Sequence, residues 1–528
     1  MNKLTVLDVT LRDGGCVNNF NFGHAYMKKI LEAQEASGVE MIELGYLDNK
    51  NGSEFDRTQY VNEKVIPDCI LSSKKPGVIY VAMMDFGKFN VDKLSVNDGN
   101  GIDGIRLAFH KKNCKDIIKL GRQIIDKGYK LYIQPMITLR YTDAELLELI
   151  GIVNEFLPDA SGFYIVDSFG EMRPNDMSRV MNLIDHNLIK SMPLGFHSHN
   201  NLQMSYSNSV ALLQFPTNRE LMLDCSIMGM GKGAGNLNTE LLLEHLNLFY
   251  GKSYKISPLL EVIDKVLNQI RSEFYWGYSV EYYLSSANHC TPSYASHFYN
   301  KHMLPIDQVS ELLSMIAEEK KISFDKEYAE EIYRQYNERK SVNDEVVVAD
   351  LTRELQSKKV LIVAPGKSIL EYKDKIINLE KSEDVLSIGL NINDDFNFDY
   401  ILTTRKDIYD KALESGKNII VPSSVSKGGR GNVKILNYSN WIEIDEGTHD
   451  SSTVIVLNLL KACDVKSILL AGFDGFSVNI NDNYFDINMR HPVNNEQAER
   501  RNSYYKSFIR RLITDGINVS FVTPSKYE

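Results

Sequence analysis

Pro193-Leu194-Gly195-Phe196-His197-Ser198-His199 is a short apolar run that closes on two histidines spaced i, i+2. The run reads as a buried strand. Side chains two apart on a strand point to the same face, about 7 Å apart along the backbone. Two imidazoles leaving one strand end together suit adjacent ligand positions on one divalent ion. A pair of histidines held by other hydrogen bonds would show the same pattern, so the rest of the chain has to decide.

Working outward, seven more strand-length runs share the first part of the chain with this one: residues 4–9, 40–44, 78–83, 104–108, 130–135, 163–166 and 221–225. Amphipathic stretches such as 25–37 and 143–156 separate them. Eight strands alternating with helices predict a parallel sheet with crossovers, and eight such units close into a (β/α)8 TIM barrel over residues 1–255. An open doubly wound sheet is the alternative. Its glycine fingerprint should follow the first strand, and the turn there is Leu11-Arg12-Asp13-Gly14-Gly15-Cys16.

A chain of 528 residues calls for two or three domains. Apolar positions at helical spacing (Leu259, Leu260, Val262, Ile263, Val266, Leu267; Val309, Leu312, Leu313, Met315, Ile316) predict a helical extension over residues 256–345, packed on the barrel mouth. Its end, 338–345, is charged and polar like a linker. A second α/β pattern follows in 358–528, with strands expected at 360–363, 385–388, 400–403, 419–421, 467–470 and 519–522. This is a Rossmann-like domain. The net charge of -11 argues against a nucleic-acid partner. Six cysteines without C-x-x-C spacing point to a reducing cytoplasm. Neither a secretory signal nor an apolar stretch of membrane-spanning length is expected.

In a barrel of this kind the active site forms where the strands end. Polar residues crowd those positions: Arg12 and Asp13 after strand one, Glu43 on strand two, Arg106 on four, Gln134 on five, Asp167 on six, and His197 and His199 on seven. Asp13, His197 and His199 offer one oxygen and two nitrogens, a set that suits Mn, Mg, Co or Zn with open positions left over. Those positions would chelate a 2-oxo acid and polarise its keto oxygen, with Arg12 as a fixed cation beside the developing charge. Glu43, Arg106, Gln134, Asp167 and Asn236 are candidates for substrate binding. The run 229–236, Gly-Met-Gly-Lys-Gly-Ala-Gly-Asn, is either an anion cradle or a tight loop that needs positive φ.

The segments Leu7-Asp8-Val9-Thr10-Leu11-Arg12-Asp13-Gly14-Gly15, Phe196-His197-Ser198-His199-Asn200-Asn201 and 229–236 resemble the DRE-TIM metallolyase superfamily, the HMG-CoA lyase-like enzymes. Within it, Val166-Asp167-Ser168 and Ile105-Arg106-Leu107-Ala108-Phe109-His110 look most like the 4-hydroxy-2-oxovalerate aldolases. The resemblance implies a barrel, Asp13, His197 and His199 as metal ligands, Arg12 on the carbonyl or enolate oxygen, and Asn236 near the metal. It also implies aldol, retro-aldol or Claisen-type chemistry through an enolate. Those aldolases carry a histidine base three residues after the metal aspartate, where this chain has Cys16. A thiol of lowered pKa would serve; His110, Tyr278 and His289 are the other candidates. Tyr278 lies in Trp276-Gly277-Tyr278-Ser279, which is similar to the segment bearing an active-site tyrosine in those aldolases.

Ala364-Pro365-Gly366-Lys367-Ser368 follows a strand but is not a P-loop, because Leu361 stands where the first glycine belongs. With Asp450-Ser451-Ser452-Thr453 and Ser467-Ile468-Leu469-Leu470-Ala471-Gly472-Phe473-Asp474, it resembles the Rossmann-like domains of bacterial sialyltransferases, flagellin-modification enzymes and pterin pyrophosphokinase-like proteins. That implies nucleotide or sugar-nucleotide binding through Gly366, Lys367, Ser368 and Asp474. The expected function is thus a cytoplasmic divalent-metal-dependent aldolase or lyase acting on a 2-oxo acid and an aldehyde or sugar, as a homo-oligomer. An acyl-CoA-dependent Claisen enzyme, or a nucleotide-sugar transferase with the barrel as scaffold, are the alternatives.

Overall fold

Alternation along the first strand decides how the barrel is lined. The computed structural model describes residues 3–52, 56–71, 74–301, 304, 306–339, 341–392, 396–426, 428, 431–443, 451–486 and 495–528. In β1 (Leu4–Asp8), Leu4 and Val6 face the outer helices, whereas Leu7 and, just beyond the strand, Val9 join Met41, Val81, Tyr132, Tyr164 and Met222 inside the barrel. The other strands are β2 (Met41–Leu47), β3 (Gln59–Tyr60), β4 (Ile79–Asp85), β5 (Gly104–Phe109), β6 (Lys130–Pro135), β7 (Gly162–Asp167), β8 (Leu194–Ser198) and β9 (Leu221–Cys225). All pair in parallel. The order β1-β9-β8-β7-β6-β5-β4-β2 closes through β1–β2, where Leu7 pairs with Met41, and the two-residue β3 hangs on β2. This is the expected eight-stranded barrel. Several strand edges differ from expectation by one to three residues, and the shift that bears on the site is in β8, which runs on to Ser198, so His197 sits in the strand rather than after it.

Asp8, facing outward, ties the barrel to its helices. Its buried carboxylate accepts from Thr10 N (2.9 Å), Gln34 Nε2 (2.7 Å) and Thr239 Oγ1 (2.6 Å). Burial pushes this carboxyl up from its ordinary value, against those donors. The helix His24–Ser37 buries Met27, Ile30, Leu31 and Ala33 on the stripe its spacing predicts, and Asp143–Phe156 begins on a Thr142/Glu145 capping box.

The chain divides into two units, Met1–Ser296 with Ala317–Phe324, and His297–Ile316 with Asp325–Glu528. The division falls inside the helical stretch 256–345, not at its ends. In the first unit, residues 276–289 dock on loops that follow barrel strands. Trp276 Nε1 donates to Met228 O at 3.0 Å, Ser286 Oγ to Phe169 O at 2.5 Å, and Arg140 Nη2 to His289 O at 2.7 Å. Leu260, expected on the apolar stripe, is exposed.

The second unit is a seven-stranded parallel sheet: β10 (Lys359–Val363), β11 (Val385–Leu390), β12 (Tyr400–Leu402), β13 (Ile419–Pro422), β14 (Val433–Leu436), β15 (Ser467–Ala471) and β16 (Asn518–Phe521). Its order is β14-β13-β12-β11-β10-β15-β16. Val360 and Ile362 feed one apolar core and Leu361 and Val363 another, so both faces are covered. Lys367–Leu370 is a single 3-10 turn, and the helix that follows starts at Lys373. Asp450 lies outside the described residues. Among those described, no helix is long and apolar enough to cross a membrane.

Barrel glycines make room for large rings. A Cβ on Gly195 would lie 2.4 Å from the Tyr164 ring, which is itself buried. Gly195→Ala is therefore expected to lower stability by about 1–3 kcal/mol through overpacking, read as a lower midpoint in thermal unfolding by circular dichroism. An unchanged midpoint would show that the ring yields freely.

Candidate metal centre

The barrel's C-terminal face brings Asp13, His197 and His199 together. One ligand atom from each lies within 4.8 Å of the others, and all three residues are buried. The imidazoles meet edge to face with centroids 5.2 Å apart. Asp13 caps the 3-10 turn Gly14–Cys16. Its Oδ1 accepts from Arg12 Nη1 at 2.8 Å and its Oδ2 from Asn236 Nδ2 at 2.6 Å. The Arg12 guanidinium and the two imidazoles hold this carboxyl far below the usual range even though burial opposes them.

A divalent ion fits these residues on three counts. His197 Nδ1 meets Asp224 Oδ2 at 2.9 Å and His199 Nδ1 meets the Lys232 carbonyl at 3.1 Å, which leaves both Nε2 atoms as acceptors, the arrangement typical of ligating histidines. Burial and the neighbouring cations lower the pKa of His199 to about 4, so that ring is neutral at pH 7. Asn236 Oδ1 is buried without a hydrogen-bond partner. Gly231 keeps the spot open, since a Cβ there would lie 2.4 Å from Asn236 Nδ2 and 2.8 Å from Asp13 Oδ2.

Beneath the ligands runs a buried chain of alternating charge. Glu43 Oε2 accepts from Arg12 Nε (2.7 Å) and Arg106 Nη1 (2.9 Å), and Arg106 Nη2 reaches Asp224 Oδ2, which also holds His197. Gln134, its amide oxygen assigned toward the guanidinium, accepts from Arg106 Nε and Nη2 at 3.3 Å. The Arg106 guanidinium lies over Tyr164, 4.7 Å from the ring centroid. Opposite charges raise the pKa of both arginines despite burial. Arg12 Nη2 is different: it is buried and has no partner.

Several expectations need correction. Glu43 and Arg106 are fully buried and engaged with each other, so they position Arg12 and His197 and do not offer themselves to a substrate. Asp167 accepts from Glu171 N (2.9 Å) and Met172 N (3.1 Å), shaping the loop after β7; burial pushes its carboxyl up to about 7. Residues 229–236 form the tight loop, not an open cradle. Gly235 (φ +82°) could not take a Cβ, which would strike Gly229 O, and Asn236 N donates to that same carbonyl at 3.0 Å. Cys16 is exposed, yet the desolvating protein around it and the Asp13 carboxylate push its thiol up to about 12, the reverse of the thiolate expected of a base. Tyr278 is half-exposed, and its hydroxyl has no hydrogen bond to this cluster among the described residues. His289 pairs with Glu171 at 2.7 Å. In the second unit, Ser368 N donates to Asp474 at 2.7 Å and Ser368 Oγ donates to the same carboxylate, while Lys367 approaches Asp482.

Sequence reasoning missed Asp224, Asp85 and Tyr46. Asp224 sits inside a strand that reads as apolar, and only its inward register gave a signal. Asp85 ends β4, and its charge acts on Cys16, Tyr46 and His110 alike. Desolvation holds the half-buried His110 below its ordinary pKa, so it is a neutral imidazole at pH 7.

The family model described as HMGL-like matches residues 103–262. The 4-hydroxy-2-oxovalerate aldolase 2 of Comamonas testosteroni is 29% identical over 247 residues, 46% of this chain and 67% of that protein. The 4-hydroxy-2-oxovalerate aldolase of Marinomonas sp. is 27% identical over 296 residues, 53% of this chain and 85% of its own. A solved HMG-CoA lyase from Brucella melitensis superposes at a TM-score of 0.42 with 14% identity, covering 51% of this chain and all of that one (100%). Over residues 103–262 the barrel of this chain carries an HMGL-like domain, and it is similar to the 4-hydroxy-2-oxovalerate aldolases, in agreement with the DRE-TIM metallolyase resemblance and with an enzyme of carbon–carbon bond chemistry.

Proposed function

We propose that the barrel is a divalent-metal-dependent aldolase or lyase that works through the enolate of a pyruvate-type 2-oxo acid, with a hydroxylated, sugar-like aldehyde as the second partner. One observation carries this reading. A buried guanidinium nitrogen, Arg12 Nη2, has no partner, and it lies beside a three-ligand set whose neighbour Asn236 also keeps an unmet acceptor. A buried donor without a partner costs stability, and it is explained if an anionic oxygen completes it during turnover.

Asp13, His197 and His199 would hold the ion, and Mn, Mg, Co and Zn all suit their mixed oxygen and nitrogen donors. When bound, the ion would supply Lewis-acid polarisation of the 2-oxo acid's carbonyl. Arg12, clamped by Glu43 and Asp13, presents Nη2 to the oxygen on which negative charge develops. Asp224 fixes the His197 ring with Nδ1 protonated. In the cleavage direction a base must take the proton from the substrate hydroxyl. His110 suits this role because it is neutral at pH 7 and sits at the end of β5, where the Asp85 charge is felt. Residues 276–289, docked on the strand-end loops, support exclusion of water from the reacting atoms. The relatives' names support a small-molecule substrate. Exposed Leu248 and Phe249 on the helix Thr239–Tyr250 support self-association, and the scattered thiols support a cytoplasmic setting.

The direct test is exchange of pyruvate methyl protons in D2O, followed by NMR with each metal in turn. Exchange is expected with the wild type, and it should fall together with bound metal, measured by atomic emission, in Asp13→Asn. No exchange with any of the metals, or undiminished exchange in Asp13→Asn, would overturn the assignment. Arg12→Lys keeps the charge but loses the fork, and a drop in exchange of about 10²–10³-fold with metal content unchanged is expected. Cys16→Ser should stay within about threefold of wild type, because a thiol with a pKa near 12 is not ionised at pH 7. A loss beyond tenfold would return Cys16 to the reaction.

A further inference from the structure

A second candidate site lies wholly within the second unit and does not depend on the reading of the barrel. The strand order of that sheet reverses between β10 and β15: β11 to β14 continue on one side of β10, and β15 and β16 on the other. Parallel sheets of this type receive ligands at the carboxyl ends of the strands flanking such a reversal. A cavity of about 370 Å³ occupies that place here, walled by Ala364, Pro365 and Gly366 after β10 and by Gly472 to Phe476 after β15. That volume is within the range of small-molecule sites.

The two strand ends approach as closely as backbones allow. Gly366 N donates to Gly472 O at 3.1 Å, and a Cβ on Gly366 would lie 2.2 Å from that same oxygen. Among the described residues, the charged ones lining the cavity are Arg405, Arg501 and Asp474. Arg405 is fixed by Asp407 through Nε (3.0 Å) and Nη2 (2.7 Å). The Asp474 carboxylate accepts from Ser368 N and Oγ, and Arg405 and Arg501 bring two guanidinium groups to the same cavity. One wall is aromatic: Phe476 and Tyr505 stack at 22° with centroids 6.2 Å apart, Arg501 lies 5.0 Å over the Phe476 ring, and Tyr484 and Tyr527 extend the surface. Tyr505 also hydrogen-bonds Ser451 at 2.8 Å, so the rings adjoin the first turn of Ser452–Ala462, where Ser451 is the N-cap.

We propose that this cavity binds a nucleotide, its base on the Phe476–Tyr505 wall and its phosphate toward Arg405 and the glycine turns. Flat aromatic surface beside fixed guanidinium charge matches a ligand that is planar at one end and anionic at the other. Asp474 keeps lone pairs for ribose hydroxyls. The residues involved are not those of the glycine-lysine-serine turn: Ser368 serves the Asp474 carboxylate, and Lys367 does not line the cavity.

The experiment is calorimetric titration of the full chain with CMP, UMP, AMP and GMP, and separately with glucose 1-phosphate and inorganic phosphate. At least one nucleotide should bind one to one in the micromolar range, about tenfold or more tighter than glucose 1-phosphate. Arg405→Gln and Phe476→Leu, each confirmed as folded by circular dichroism, should weaken that nucleotide about tenfold or more. The proposal is overturned if none of the four nucleotides binds at millimolar concentration, if glucose 1-phosphate or phosphate binds as tightly as the best nucleotide, or if both folded variants bind like the wild type.

Discussion

The buried run of charge from Asp13 through Arg12, Glu43, Arg106 and Asp224 to His197 is the constraint on which the rest of the barrel site depends. Each link is a charge-assisted hydrogen bond in a place with almost no water, where a partner cannot be removed without stranding its neighbour. Deleting one member of such a pair costs about 3–5 kcal/mol in typical proteins, which is comparable to much of a domain's net stability. The chain therefore fixes geometry more firmly than it adds stability. It draws on the loop after β1 and on β2, β5, β8 and β9, so the strands must close in register before the mouth acquires its shape.

Much of this was legible in the sequence, for a physical reason. Parallel barrel strands are buried on both faces, so they appear as short apolar runs even without alternation, and polar residues at their ends stand out. The histidine pair, Asp13 and Arg12 were visible that way. Asp224 was not, because a single carboxylate inside Leu221-Met222-Leu223-Asp224-Cys225 acquires meaning only from Arg106, more than a hundred residues earlier. Asp8 was hidden likewise, its donors Gln34 and Thr239 arriving from two separate helices. Cys16 misled because motif position carries no information about the local field, which is set here by the surrounding protein and by Asp13.

The second unit repeats the lesson at the level of a sheet. Five of its strands are continuous or nearly continuous apolar runs, and β16 alternates polar and apolar residues. The seventh, Val433–Leu436, is short, lies at the edge and contains a lysine, so its pattern does not stand out in the sequence. Strand order cannot be read from such patterns, and the order determines where the crevice opens. The Gly366-Lys367-Ser368 turn attracted attention by its composition, but the sheet reversal directs attention to the ends of both β10 and β15.

The anchoring of the imidazoles by Asp224 and by the Lys232 carbonyl has a consequence for the life of the enzyme. Both rings are aimed by protein groups rather than by an ion, so on the proposed reading the pocket is preassembled before any metal arrives. Loading then needs no refolding, and one ion can be traded for another on a scaffold that does not change. Which metal the enzyme carries would follow the supply around it, and a shift in that supply would retune the catalyst without new protein synthesis.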